Sequence, residues 1–286
     1  MRKKAIALFM CGILAVSGLV GCGSEKKSDN VKNEMQKGEK EEIQKIKVAC
    51  MDSYFPYSYI DDEGNPTGFD VEVMKEAAKR SGYEIEIVPT AWESLFPGLD
   101  SGKWDAVANQ ICRTEEREEL YNMGNVPYII STMKLIVKSD NDKVNSIEDL
   151  NGEKLEMTVG DYGTTLLEDY LVDHPNAFEI VYSEASMAMV LENIINGRVV
   201  GNVNDPLTAI KTAEKNGISD KIKVVGENIY EECIYAVYQK SDKGAEIRDN
   251  MDKAMEEMIE DGFLSELSVK WFGIDNNENI EDGIKN

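Results

Sequence analysis

Histidine is almost missing from this 286-residue chain, which carries one, His174. A Ser-His-Asp or Cys-His catalytic arrangement would have to be built on that residue. It sits in a polar stretch before Pro175 that reads as a solvent-facing loop. Cysteine is scarce as well: five residues, none in CxxC spacing, signal neither a zinc site nor a disulfide framework. A pair among Cys50, Cys112 and Cys233 can still bridge outside a reducing compartment. Positive charge is in deficit, with 31 Lys and Arg against 54 Asp and Glu and a formal charge of −23. Such a balance repels phosphate backbones and anionic lipid, so nucleic acid is not an expected partner. A well-solvated acidic surface accounts for the charge without identifying a ligand. No 30–40-residue repeat of the solenoid kind is present.

The one long apolar run opens the chain. Arg2, Lys3 and Lys4 precede Ala5 to Val20, which is apolar or small apart from Ser17. That order is the pattern of a secretory signal peptide. It falls short of the roughly 20 apolar residues of a spanning helix. Leu19-Val20-Gly21-Cys22 then resembles the lipobox of bacterial lipoproteins, which implies cleavage before Cys22 and acylation of its sulfur. Two or more acyl chains give durable anchoring where one does not. Loss of residues 1–21 removes Cys11 and three positive charges and no acid, leaving −26. Residues 22–44 are rich in Lys, Glu, Ser, Asn and Gly and bury nothing, so a disordered tether is expected there.

From Ile46 onward strands and helices alternate. Ile46 to Met51 reads as a strand, Tyr54 to Gly68 as a turn region punctuated by Gly64-Asn65-Pro66, Phe69 to Arg80 as a helix, and Tyr83 to Val88 as a strand. Trp92 to Leu99 is a short helix and Asp105 to Ala108 a buried strand. The rhythm repeats: strands at 133–137, 154–159, 179–182, 199–203 and 222–225, a capped short helix at 146–150, and helices at 165–172, 186–196 and 206–216. A strand from Ile234 and helices over 245–259 and 263–271 close the pattern. Alternation of this kind argues for mainly parallel sheets covered by helices. About 230 ordered residues suit two α/β lobes better than one core. The tail over 274–286 is polar and expected to fray.

Three strand ends carry chemistry. Ala108 to Arg117 leaves a buried strand for a helix start, with Thr114 as N-cap. That junction is where open α/β sheets bind ligands. Arg117 offers a planar fork suited to a carboxylate, and a surface ion pair with Glu116 or Glu118 is the plain alternative. Val159 to Thr165 repeats the logic: Thr165-Leu166-Leu167-Glu168 is a capping-box pattern. Gly163 permits close approach, and the helix N–H groups with the Thr164 and Thr165 hydroxyls make an anion site, or simply a cap. Asp205 ends a strand before Pro206. It can receive an ammonium group, cap the helix, or do both. Tyr54 and Trp92 can stack on a ligand or pack in the core.

Taken in order, further segments carry a family resemblance: Phe55-Pro56-Tyr57-Ser58, Gly64 to Asp70, Leu99 to Asp105, Thr114 to Arg117, Ser146 to Leu150, Gly163-Thr164-Thr165, Asn204-Asp205 and Asp261-Gly262 with Lys270 to Gly273. The chain resembles the polar amino-acid family of bacterial extracellular solute-binding proteins that serve ABC importers, over about Lys45 to Gly273. The resemblance implies an α/β fold of two Rossmann-like lobes joined by a two-strand hinge, the type II periplasmic-binding-protein architecture. Lobe 1 would be discontinuous (45–131 and 231–273) and lobe 2 would span 132–230, with crossovers near Ser131–Lys134 and Glu227–Glu231. Arg117 looks like the α-carboxylate arginine, Thr165 with Gly163 and Thr164 its partner on the other lobe, and Asp205 the α-ammonium acceptor. Tyr54 and Trp92 look like the flanking aromatic pair. Gln110 and Cys112 occupy positions where small residues with free backbone or hydroxyl groups often stand. The Asn109-Gln110 pair, with Trp92 and Asn204-Asp205, looks like the cystine-binding branch.

The function implied is that of a monomeric, lipid-anchored, non-enzymatic carrier outside the cytoplasm. It would bind an amino acid, need no metal or cofactor, and hand its cargo to permease subunits. A dehydratase acting on prephenate-like acids from the same scaffold is the alternative enzyme, and a sensory ligand-binding domain is the other.

Overall fold

The computed structural model describes residues 43–284. The signal peptide, Cys22 and nearly all of the tether lie outside the described residues. Among those described, no helix is long and apolar enough to cross a membrane.

Two five-stranded sheets organise the chain. In the first, Lys45–Met51 is flanked in parallel by Glu84–Thr90 and Ala106–Val107. Val237–Tyr238 then pairs antiparallel with Ala106–Val107 and with Asn122–Met123. In the second, Lys154–Thr158 runs parallel to Glu179–Ser183 on one side and to the central strand Gly201–Asn204 on the other. Two long strands complete it, Ile129–Lys138 and Ile222–Ile234, antiparallel to one another. The chain enters the second sheet through one of them and leaves through the other, returning to the first sheet to add Val237–Tyr238. This gives two lobes connected twice. The register of the long pair breaks between Val225 and Tyr230. Gly226 occupies the left-handed region there, at φ 77°.

Apolar periodicity decides the helices. Phe69, Val73, Met74, Ala77 and Ala78 are sealed on one face of Phe69–Arg80. Ile247, Met251, Ala254, Met255 and Met258 do the same on Asp242–Glu260. Both faces enter one apolar cluster with Phe272 and Tyr128. The second lobe has clusters on both faces of its sheet, one around Leu135, Leu155 and Leu167, the other around Ile136, Leu191 and Ala213.

The helix Trp92–Asp100 shows how tightly the first lobe closes. Trp104 is 2% exposed and its indole N–H donates to the Leu95 carbonyl at 2.9 Å. A Cβ on Gly98 would overlap that indole ring. Alanine normally stabilises a helix interior relative to glycine by roughly 0.5–1 kcal/mol. Here Gly98→Ala is expected to destabilise the protein by about 1–3 kcal/mol through overpacking. Urea denaturation checks this, and a variant as stable as the parent would remove the packing argument.

The structure departs from the sequence reading in four places outside the cleft. The sheets are mixed where mainly parallel ones are expected, because the crossing strands and the returning strand Val237–Tyr238 pair antiparallel. The region 54–68, read as a turn, folds as a three-stranded sheet of Ser53–Tyr54, Ser58–Ile60 and Pro66–Thr67. The segment 146–150, read as a short helix, is one 3₁₀ turn, Ile147–Asp149, held by a capping box between Ser146 and Asp149. The polar tail is not frayed through Ile284. Ile280 is 2% exposed, the Ile130 N–H donates to the Asn276 carbonyl at 3.3 Å, and the Tyr235 hydroxyl donates to the Gly283 carbonyl at 2.7 Å. A single apolar anchor in a polar segment is enough when neighbouring backbone groups find partners.

Candidate functional site

A cleft lies between the two lobes, with an empty space of about 1000 Å³ when its open mouth is included. Of the nine ligand positions expected from the sequence, the structure brings five onto its wall: Tyr54, Trp92, Gln110, Cys112 and Arg117. The other four, Gly163, Thr164, Thr165 and Asp205, stand outside the lining residues.

The first-lobe wall is built at a strand-to-helix junction. Thr114 caps the helix Glu115–Leu120, its hydroxyl accepting from the Arg117 N–H at 3.2 Å. That turn aims the Arg117 side chain back under Cys112. Arg117 Nη1 donates to the Cys112 carbonyl at 2.9 Å and to Cys112 Sγ at 3.2 Å. The guanidinium carbon stands 5.5 Å from the centre of the Phe96 ring. The fork is therefore held flat, and its remaining donors have no partner among the described residues. Cys112 is a free thiol, 3% exposed. Burial pushes its pKa up, and the Arg117 charge pulls against that shift.

Gln110 sits in the left-handed region at φ 51°. The carboxylate of Asp70 holds it there, accepting from Gln110 N at 3.1 Å and from Nε2 at 2.8 Å. The amide oxygen is left buried with no hydrogen-bond partner. Asp70 is fully buried, and desolvation raises its pKa to about 7.

In the second lobe, the helix Tyr162–Asp173 has Asp161 at its N-cap, four residues before the cap that the pattern at Thr165 suggests. The Asp161 carbonyl accepts from the N–H groups of Thr164 and Thr165. The Thr164 hydroxyl donates to the Thr158 carbonyl at 2.6 Å, and Thr165 is exposed. The N–H groups and the Thr164 hydroxyl counted as an anion site are thus spent within the chain. Glu168, the fourth residue of that pattern, accepts instead from the Tyr182 hydroxyl at 2.6 Å. Asp161 takes the place on the wall. Burial raises its carboxyl pKa, with Arg117 the opposing charge.

Asp205 caps the helix Pro206–Asn216 through a 2.8 Å bond from the Thr208 N–H. It is 3% exposed and lies beside Tyr54 and Tyr57 of the other lobe. No cation pairs with it among the described residues. Desolvation lifts its pKa to about 6 against the hydrogen bonds from Thr208, Tyr57 and Leu207.

At the rim the lobes touch. The Trp92 indole N–H donates to the Val159 carbonyl at 3.2 Å. The Lys215 ammonium stands 4.9 Å from the Phe55 ring centre and 5.3 Å from that of Tyr59.

Several wall residues carry no sequence signal. Asn202 and Tyr230 face the cleft from strands, 3% and 8% exposed. Asn202 Oδ1 has no hydrogen-bond partner among the described residues, and the Tyr230 hydroxyl stands beside the Cys112 thiol. Met51, Met133 and Met187 also line the cleft, and Glu184 stands exposed where Glu179–Ser183 ends. Alternation along a strand shows which residues share a face, but the identity of the facing surface depends on the other lobe.

Residues 46–274 match the family of bacterial extracellular solute-binding proteins, family 3. The chain is 33% identical over 277 residues, 96% of its own length, to the L-cystine-binding protein TcyA of Bacillus subtilis, of which it covers 99%. A solved structure titled as a putative L-cystine ABC transporter from Listeria monocytogenes superposes with a TM-score of 0.73 at 29% identity, covering 81% of this chain and 97% of that one. Another was solved in work on glutathione import through GshT and the cystine importer TcyBC of Streptococcus mutans. It gives a TM-score of 0.75 at 26% identity, covering 82% and 97%.

Proposed function

The chain belongs to the bacterial extracellular solute-binding proteins, family 3, and on that premise we propose that the solute it captures for an ABC importer is L-cystine. The observation that carries an amino acid is the charge arrangement. A flat guanidinium fork with uncommitted donors faces a cleft beside which a buried carboxylate, Asp205, has no cation. A zwitterion supplies both missing charges, and buried charges are tolerated only when paired. In this reading Arg117 takes the α-carboxylate and Asp205 the α-ammonium, with Tyr54 and Trp92 at the sides.

Two observations favour cystine among amino acids. The relatives named above include an L-cystine-binding protein of nearly the same length. The wall also carries sulfur from Met51, Met133, Met187 and Cys112, a soft, polarizable surface suited to a disulfide. The Gly163, Thr164 and Thr165 turn acts by shaping this wall, not by donating to the ligand.

Capture without turnover is part of the proposal, as is a monomer whose lobes divide at the long strand pair. Lobe 1 is then 45–131 with 231–273, and lobe 2 is 132–230. Closure follows from the ligand's preference for the closed form, which shifts the equilibrium between lobe arrangements. Anchoring through lipid on Cys22, outside the cytoplasm, completes the proposal. Cys22→Ser is expected to release the protein from membranes with its ligand affinity intact, and fractionation followed by calorimetry checks both halves.

A thermal-shift screen against the amino acids and L-cystine tests the ligand. A ligand at 100 times its Kd adds about 2.7 kcal/mol to stability. L-cystine is expected to give the largest shift. A shift with another amino acid and none with L-cystine would overturn the cystine reading.

A further inference from the structure

The unmatched polar atoms of the cleft are unevenly distributed by type. Among the described residues Arg117 is the one cation on the wall, and it suffices for one carboxylate. Acceptors are in excess at the second-lobe end. The strands Lys154–Thr158, Glu179–Ser183 and Gly201–Asn204 are neighbours and run parallel. Asp161 and Glu184 follow the first two at the end where an open α/β sheet receives ligands. Asn202 lies within the third, its Nδ2 donating to the Glu156 carbonyl at 2.5 Å. That bond orients the amide and leaves Oδ1 buried and without a donor. Burial raises the Asp161 carboxyl pKa against the charge of Arg117, and Glu184 makes no ion pair among the described residues. A buried acceptor left unpaired costs free energy that a ligand donor recovers.

We propose that Asp161, Glu184 and Asn202 form a second ammonium pocket, distinct from Asp205, which selects ligands bearing two ammonium groups. The inference rests on the amino-acid reading above and deepens it, because the second ammonium of L-cystine supplies three donors to this end. It assigns specificity to residues on the wall that no α-amino acid contact requires. The same pocket rejects amino acids with an apolar or acidic side chain, since these leave its acceptors unpaired.

Calorimetry with two matched disulfides tests it. One is L-cystine. The other is the mixed disulfide of L-cysteine with 3-mercaptopropionate, which lacks one ammonium and is otherwise the same. Cystine is expected to bind tighter by on the order of thirtyfold. Glu184→Gln, an exposed position where folding is not at stake, should cut that ratio severalfold. Asn202→Ala should do the same. Equal affinity of the wild type for the two disulfides would overturn the second pocket while leaving cystine as cargo. If cystine fails and lysine or ornithine binds in its place, with the Glu184→Gln penalty, the pocket stands and the cystine reading falls. Binding confined to amino acids with one ammonium would end both.

Discussion

Arg117→Ala is expected to weaken amino-acid binding by a factor on the order of 30 to several thousand. Removing one partner of a desolvated, hydrogen-bonded charge pair costs about 2–5 kcal/mol, part of which is the ligand carboxylate left unpaired. The structure sharpens the reason. Nη1 is already tied to the Cys112 carbonyl and sulfur, and the guanidinium lies over Phe96. Little side-chain entropy is therefore left to lose on binding. Arg117→Lys should recover only part, because a point charge cannot reproduce the fork. Cys112→Ser, which keeps the carbonyl, should have a small effect by comparison. Calorimetry with L-cystine on the three variants decides it. An Arg117→Ala protein that folds normally and binds as tightly as the parent would invalidate the site as drawn.

Asp205→Asn is the second large effect, expected to weaken an α-amino acid by about 2–5 kcal/mol while sparing a ligand without the ammonium. Asparagine still caps a helix, so Pro206–Asn216 should survive the change. Acidity provides an independent reading. Burial sets the Asp205 pKa at about 6, and a ligand ammonium binds only the ionised form. Affinity should therefore hold above pH 7 and decline as pH falls through 6, by up to about tenfold per unit. In Asp205→Asn that decline should vanish. Folding stability runs the other way. A carboxyl whose pKa rises on folding binds protons more readily when native, so its contribution weakens as pH climbs from about 4 to 6. Asp70 and Asp252, raised to about 7 and about 6, act in the same sense. Unliganded Asp205→Asn should thus be at least as stable as the parent at pH 8, the trade expected where function keeps a charge in an unfavourable place.

Local chemistry was readable where one segment contains its own reason. Thr114 before Glu115-Glu116-Arg117, and Asp205 before Pro206, announce helix starts, and both form as the sequence indicates. The same logic failed at Thr165. A capping box three residues upstream of Glu168 competed with the Asp161 carbonyl, and Gly163 proved able to sit inside the helix. Asn202 and Tyr230 were illegible for another reason. Asn202 lay in a recognised strand and Tyr230 in the expected crossover, but their polar atoms acquire meaning only when the second lobe and the crossing strands converge on one cleft. Ile280 shows the converse, a single buried side chain that composition alone could not separate from a frayed end.

The three tryptophans are placed so that cargo exchange carries its own optical signal. Trp104 is sealed inside the first lobe, and Trp271 packs near Tyr59 at a ring separation of 6.4 Å. Trp92 alone reaches across to the Val159 carbonyl. When the lobes part, that indole trades a carbonyl partner for water while the other two keep their surroundings. Red-shifted emission from one fluorophore then reports the open population, and the two silent ones provide an internal reference within the same spectrum.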